Sequence, residues 1–155
     1  MPYSRKTATA DERTTQLVAA LKQAGLRLTP QRTAICQRLA HDKTHPTAQI
    51  LYEHMLAEFP NLSLATIYNT LDTLVSAGLI YELGSAGDNA VHYDADPSPH
   101  VNVICTNCHR IDDFPAAVLA GVAKRVTEDL GYDLRGARVA YYGLCPKCRR
   151  TLKTG

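Results

Sequence analysis

The chain contains no apolar run near the roughly 20 residues that a membrane-spanning helix requires. Its opening stretch, MPYSRKTATADERTTQ, lacks the apolar segment of a secretory leader, so a cytoplasmic protein is expected. Internal repeats and low-complexity tracts are also missing, which leaves an ordinary globular composition of 45% hydrophobic and 21% charged residues. No nucleophile–base pair and no open zinc-type triad stands out, so no catalytic machinery and no small-molecule substrate are expected. Acidic residues are scarce at the start. Residues 1–40 carry seven cations (Arg5, Lys6, Arg13, Lys22, Arg27, Arg32 and Arg38) against Asp11 and Glu12. Such a face suits a polyanion such as DNA, although a solvated helix surface has the same composition.

Hydrophobic periodicity divides the chain into a helical half and a strand-rich half. Leu17, Val18, Leu21 and Ala24 predict a helix over 11–24, with Gly25 as its stop. Thr29-Pro30 is a cap followed by a proline at the first helical position, predicting a helix over about 30–40. Thr47 opens a third helix that closes before Pro60. Ser63 caps a fourth that carries Ile67, Leu71, Leu74 and Val75 and ends at Gly78. Strand-like runs over 79–83 and 90–93 flank a turn rich in glycine and asparagine, which reads as a hairpin. Helices followed by a hairpin are the order of a winged helix-turn-helix, in which the helix before the hairpin enters the major groove. Protein-interaction modules share that order.

Residues 94–99 contain Pro97 and Pro99 and read as a hinge. Beyond it, strands are expected over 101–105, 110–112 and 138–144, the last with Val139 and Tyr141 on one face. Between them a helix over 115–129 should turn Val118, Leu119, Val122 and Val126 inward. A unit this small buries little apolar area and needs a staple or a partner subunit.

Two C-x-x-C pairs supply that staple: Cys105-Thr-Asn-Cys108 and Cys145-Pro-Lys-Cys148. A two-residue gap lets both thiolates of a pair face one ion, and two pairs complete a tetrahedral shell of four sulfurs. Soft thiolates suit zinc or an iron–sulfur cluster. Disulfides conflict with a cytoplasmic location, and a redox C-x-x-C has no need of a second. Four protein ligands leave no open position, so a structural zinc ion is expected. Cys36, on an apolar helix face, reads as a buried free thiol.

Several stretches resemble the ferric uptake regulator (Fur) family of metal-dependent repressors. They are LRLTPQR at 26–32, HPTAQILYEHM at 45–55, FPNLSLATIYNTLDTLVSAGLI at 59–80, HVNVICTNCHRIDDF at 100–114 and YGLCPKC at 142–148. The resemblance implies an α+β chain with a winged helix-turn-helix DNA-binding domain (1–93), a hinge (94–99) and a C-terminal α/β dimerisation domain with a structural four-cysteine zinc site (100–155). SLATIYNTL looks more like the peroxide-sensing, PerR-like branch than the iron-uptake branch, since Asn69 stands where iron-type repressors more often carry Arg. Asn prefers adenine and Arg guanine. DNA contacts are therefore expected from Arg27, Gln31, Arg32, Ala65, Thr66, Tyr68 and Asn69.

The resemblance also implies a regulatory site for Mn(II) or Fe(II) at His45, Asp94, His100 and Asp113. Taken singly, each histidine would more often be a surface or capping residue. The family's fifth ligand is usually a second His two residues past His100, and here that position is Asn102. Asn102 offers a harder oxygen donor, and His92, on the same strand face as Asp94, is the other candidate. His45 and His100 would be the sites of oxidation if peroxide is sensed. The expected partners are a double-stranded DNA operator and a second copy of the chain, with no membrane. The readings set against this one are a metal-uptake regulator without peroxide sensing and a zinc-stapled protein-interaction module.

Overall fold

The computed structural model describes residues 8–153, so Arg5 and Lys6 of the basic run lie outside the described residues. It divides into two compact units. One comprises Ala8–Gly84 and Ala90–Pro97, and the other comprises Ser85–Asn89 and the chain from Ser98 onward. No helix among the described residues is long and apolar enough to cross a membrane.

The first unit contains α1 (Ala10–Gln23), α2 (Pro30–His41), α3 (Ala48–Met55) and α4 (Leu64–Ser76). Each helix opens on a hydroxyl cap. The side chains of Thr9, Thr29, Thr47 and Ser63 accept from the backbone N–H groups of Glu12, Arg32, Ile50 and Thr66. A cap of this kind contributes about 1 kcal/mol. Thr9 and Glu12 form a reciprocal capping box. The apolar stripes meet in one core, where Leu17, Leu21, Ile35, Leu51, Ile67 and Leu71 are fully buried. Cys36 lies in it, and burial pushes its thiol up to about 12, so it stays protonated.

The hairpin is shorter than its apolar runs predict. β1 (Tyr81–Glu82) pairs antiparallel with β2 (Tyr93–Asp94) in the register Tyr81 to Asp94 and Glu82 to Tyr93. Asp94 is thus a strand residue. Arg13 also departs from expectation. Only 3% exposed, it lies inside the unit, where Nε donates to the Ala95 carbonyl at 2.9 Å and Nη2 to the Leu79 carbonyl. It therefore fastens α1 to both ends of the hairpin and cannot belong to a polyanion-binding face.

The second unit contains β3 (His100–Cys105), β4 (Ile111–Pro115), α5 (Val118–Leu130), β5 (Ala140–Gly143) and α6 (Pro146–Lys153). β3 is central, antiparallel to β4 and parallel to β5. α6 has almost no apolar stripe, and only Pro146 at its start signals it in the sequence. The expected inward face of α5 is half wrong. Leu119 and Val126 are partly covered, but Val118 is 73% exposed and Val122 is also exposed. On β5, Tyr141 is exposed as well, beside Tyr142. A unit of this size cannot cover so many large apolar side chains with its own chain.

Arg13→Ala leaves two carbonyls without their charged donor, and unfolding in urea should show a loss of about 1–3 kcal/mol. Arg13→Lys, which can still serve one carbonyl, should lose less.

Candidate metal centres and nucleic-acid face

The four cysteines converge. Cys105 ends β3, Cys108 lies in the turn to β4, Cys145 follows β5 and Cys148 is in α6. Their sulfurs all lie within 4.8 Å of one another, and those of Cys108 and Cys145 are 3.8 Å apart. Four sulfurs at about 2.3 Å from one zinc ion are separated by about 3.8 Å along each tetrahedral edge, the spacing the Cys108–Cys145 edge shows, so the cluster suits zinc. Backbone geometry prepares the thiolates. The N–H of Cys108, followed by that of Cys145, holds the Cys105 thiol down to about 6. The Cys145 N–H is 3.3 Å from the Cys105 sulfur. The Cys148 N–H, 3.4 Å from the Cys145 sulfur, lowers that thiol in the same way. Each C-x-x-C pair thus aims its own amide at its own first sulfur, which is what the two-residue gap permits. Asn107 adds a donor to Cys148 at 3.2 Å.

The expected regulatory ligands form two histidine–aspartate pairs, one in each unit. In the first unit His45 Nε2 lies 3.9 Å from Asp94 Oδ1, with both side chains buried. His45 adopts a left-handed backbone, φ 57°, unusual for a residue with a β-carbon. Strand β2 and the residue before it enforce that conformation. The Tyr93 N–H donates to the Pro46 carbonyl at 3.1 Å, and Thr47 bridges His92. His92 Nδ1 lies 2.7 Å from the His45 carbonyl, which makes it a donor there. His92 therefore acts first on the backbone of His45, a role its spacing did not reveal. Asp94 Oδ1 also accepts from the Asp96 N–H at 2.9 Å.

In the second unit His100 Nε2 lies 3.7 Å from Asp113 Oδ1. The Ser98 carbonyl, 2.7 Å from His100 Nδ1, takes the proton on that nitrogen and leaves Nε2 as the lone-pair face. Asn102 sits directly opposite Asp113 in the β3–β4 register. Its Nδ2 is 3.0 Å from Asp113 Oδ1 and 3.3 Å from His100 Nε2. Donors about 2.1 Å from a shared ion lie about 3–4 Å apart, so each pair fits a divalent cation.

His109 also finds a partner that the sequence did not signal. Its Nδ1 lies 2.8 Å from the Ala86 carbonyl, within the second unit.

The DNA-reading candidates gather on the first unit. Ala65 and Asn69 are exposed on α4, and Tyr68 is 46% exposed, too open for a packing residue. Arg32, at the start of α2, reaches across to α4. Its Nη2 lies 3.3 Å from Asn69 Oδ1, and Nη1 donates to the Arg27 carbonyl at 2.6 Å. Gln31 and Thr66 are half-buried beside them.

The profile of the ferric uptake regulator family matches residues 23–142. The chain belongs to that family. It is accordingly a metal-dependent transcriptional repressor and not an enzyme, and proteins of the family act as DNA-binding homodimers. It is 37% identical over 132 residues to the peroxide-responsive repressor PerR of Staphylococcus aureus, spanning 85% of this chain and 88% of that one. The Campylobacter jejuni peroxide stress regulator superposes with a TM-score of 0.69 at 32% identity, covering 85% of this chain and 98% of the other. The Helicobacter pylori ferric uptake regulator, with a TM-score of 0.73 at 20% identity, covers 94% of this chain and 97% of its own and shows the shared fold alone.

Cys145→Ser should abolish stoichiometric zinc, measured by chelator-dye release after thiol modification. A loss of about 3 kcal/mol or more would lower the melting temperature by about 10 °C or more.

Proposed function

We propose that this repressor binds a palindromic operator as a homodimer when Mn(II) or Fe(II) bridges His45 and Asp94 to His100 and Asp113. Residues 1–93 would carry the DNA-binding face, 94–99 the hinge and 100–155 the dimer contact and the four-cysteine zinc. The observation that carries this reading is the pair of His–Asp couples, one in each unit, the first buried and the second partly buried, at spacings that suit a divalent cation. An ion that needs both pairs stabilises whichever arrangement brings them together, and so biases a two-state equilibrium. The exposed Val118, Val122, Tyr141 and Tyr142 support a second copy as the cover for this surface.

We further propose that the chain responds to peroxide. The support is the similarity to two peroxide-responsive regulators. Fe(II) held by these residues would supply peroxide chemistry confined to its ligands. A ligand imidazole, His45 or His100, would gain one oxygen atom from peroxide, with the other oxygen leaving as water. The modified ring would no longer offer the same lone pair, and the operator would be released. Mn(II) does not support that chemistry at ordinary potentials, so the manganese form stays bound. The alternative is a metal-uptake regulator indifferent to peroxide.

Operator binding measured with Mn(II) or Fe(II), before and after peroxide, separates the two. Loss of binding with a one-oxygen gain on His45 or His100, in the iron form only, is the expected result. Unchanged binding and unmodified histidines in the iron form would leave the uptake regulator.

On the DNA side, Asn69→Ala should weaken operator binding by about 1–3 kcal/mol and relax base preference at one position. Arg32→Ala should weaken operator and unrelated DNA alike and reduce the salt slope by about 1. Fluorescence anisotropy across a salt series reads both effects.

A further inference from the structure

The donor set of the second unit departs from its family's pattern at Asn102, and the hydrogen bonding there has a consequence for metal choice. Asn102 is 2% exposed and fixed by the β3–β4 register opposite Asp113. Its neighbours on the same strand face present two acceptors, the Nε2 lone pair of His100 and the Oδ1 of Asp113. An amide oxygen turned toward them would face two acceptors. The carboxamide therefore turns its NH2 group inward, and two hydrogens reach two lone pairs, at 3.3 and 3.0 Å. Those are the lone pairs a cation would use. The NH2 group thereby presents partial positive charge to both lone pairs.

We propose that Asn102 is the specificity-determining residue of the regulatory site: its carboxamide holds His100 and Asp113 in place without metal and turns over to ligate through Oδ1 when metal enters. The inference rests on the assignment of His100 and Asp113 as ligands. Two properties follow. Metal entry must break two hydrogen bonds, which raises the concentration needed for occupancy. The bound ion then sees an additional hard oxygen where an imidazole nitrogen would otherwise stand. Oxygen-rich sets suit Mn(II), while imidazole favours the later metals of the first transition row. Asn102 thereby weakens Co(II) and Zn(II) relative to Mn(II).

The test uses the full-length, zinc-loaded chain, with zinc content and circular dichroism as checks of folding. Mn(II) binding is read by electron paramagnetic resonance, and Co(II) binding by its d–d absorption. Asn102→His should tighten Co(II) about tenfold or more relative to Mn(II), lowering the preference for manganese and changing the Co(II) band shape. Asn102→Ala, which removes both the stand-in donor and the oxygen ligand without adding bulk, should weaken Mn(II) about tenfold. A Co(II)/Mn(II) ratio unchanged within about twofold in Asn102→His, or Mn(II) affinity undiminished in Asn102→Ala, overturns the proposal. His100→Ala tests the underlying assignment separately. If it binds Mn(II) as the unsubstituted chain does, the site is not at His100. If it loses Mn(II) while the Asn102 variants match the unsubstituted chain, the site stands and the role given to Asn102 falls.

Discussion

Four cysteine sulfurs held within 4.8 Å of one another cannot all carry charge unless a cation lies between them. The amides of Cys108 and Cys148 lower the cost of ionising the first thiol of each pair, but they are partial charges and serve one sulfur each. A divalent ion completes what they begin. Its capture ties the end of β3 and the following turn to the end of β5 and the start of α6. The parallel register of β3 and β5, from Asn102–Ala140 to Cys105–Gly143, runs into the cluster. Strand β3 is therefore anchored at its far end by the metal and along one side by β4. The His100–Asn102–Asp113 group lies at the opposite end of that same ladder. Its geometry depends on a staple several residues away to which it contributes no ligand, so under the proposed function the zinc site would support the sensor without being the sensor.

The first unit reaches its order by different means. It relies on a core of interlocking helices with a hydroxyl cap at each start. One buried arginine closes α1 onto the hairpin. That bond also bears on the proposed metal ligands, because Asp94 lies in β2 one residue before Ala95, whose carbonyl Arg13 holds. A cation that composition alone assigns to a DNA-binding face instead fixes the strand that carries Asp94.

Much of this was legible in the sequence because local chemistry determined it. Thr29-Pro30, Thr47 and Ser63 mark three helix starts, and Gly25 and Gly78 mark two ends, where the chain takes positive φ. The paired C-x-x-C spacing identified the zinc cluster, because two sulfurs separated by two residues already face one ion and the small unit needs a second such pair to close on it. What stayed hidden was decided by partners distant in sequence. Arg13 is buried by carbonyls 66 and 82 residues away. His92 bonds a backbone atom 47 residues earlier. The pattern of α5 shows which side is apolar but not whether the chain itself covers it, and the exposed Val118 and Val122 leave that surface for another molecule. The orientation of the Asn102 amide depends on which atoms of His100 and Asp113 face it, and no spacing rule supplies that.

The division of the ligands between the units has a thermodynamic meaning under the proposed function. A single His–Asp pair offers two donors, too few to hold a labile divalent ion against water at low concentration. Each pair is nevertheless assembled in advance, the first by the left-handed backbone of His45 and its bond from His92, the second by the β3–β4 register and the Asn102 amide. Ordering within a pair therefore adds little to the cost of binding, and the remaining cost is that of displacing the Asn102 hydrogen bonds and of bringing the two pairs to one ion. The difference between the affinity of one unit's donors and that of both sets together is then the free energy available to shift the units toward the DNA-competent arrangement. Pre-assembly within each unit directs the ion's binding energy into that shift instead of into ordering side chains, and a weaker ligand at position 102 moves the metal concentration at which the shift occurs without altering its direction.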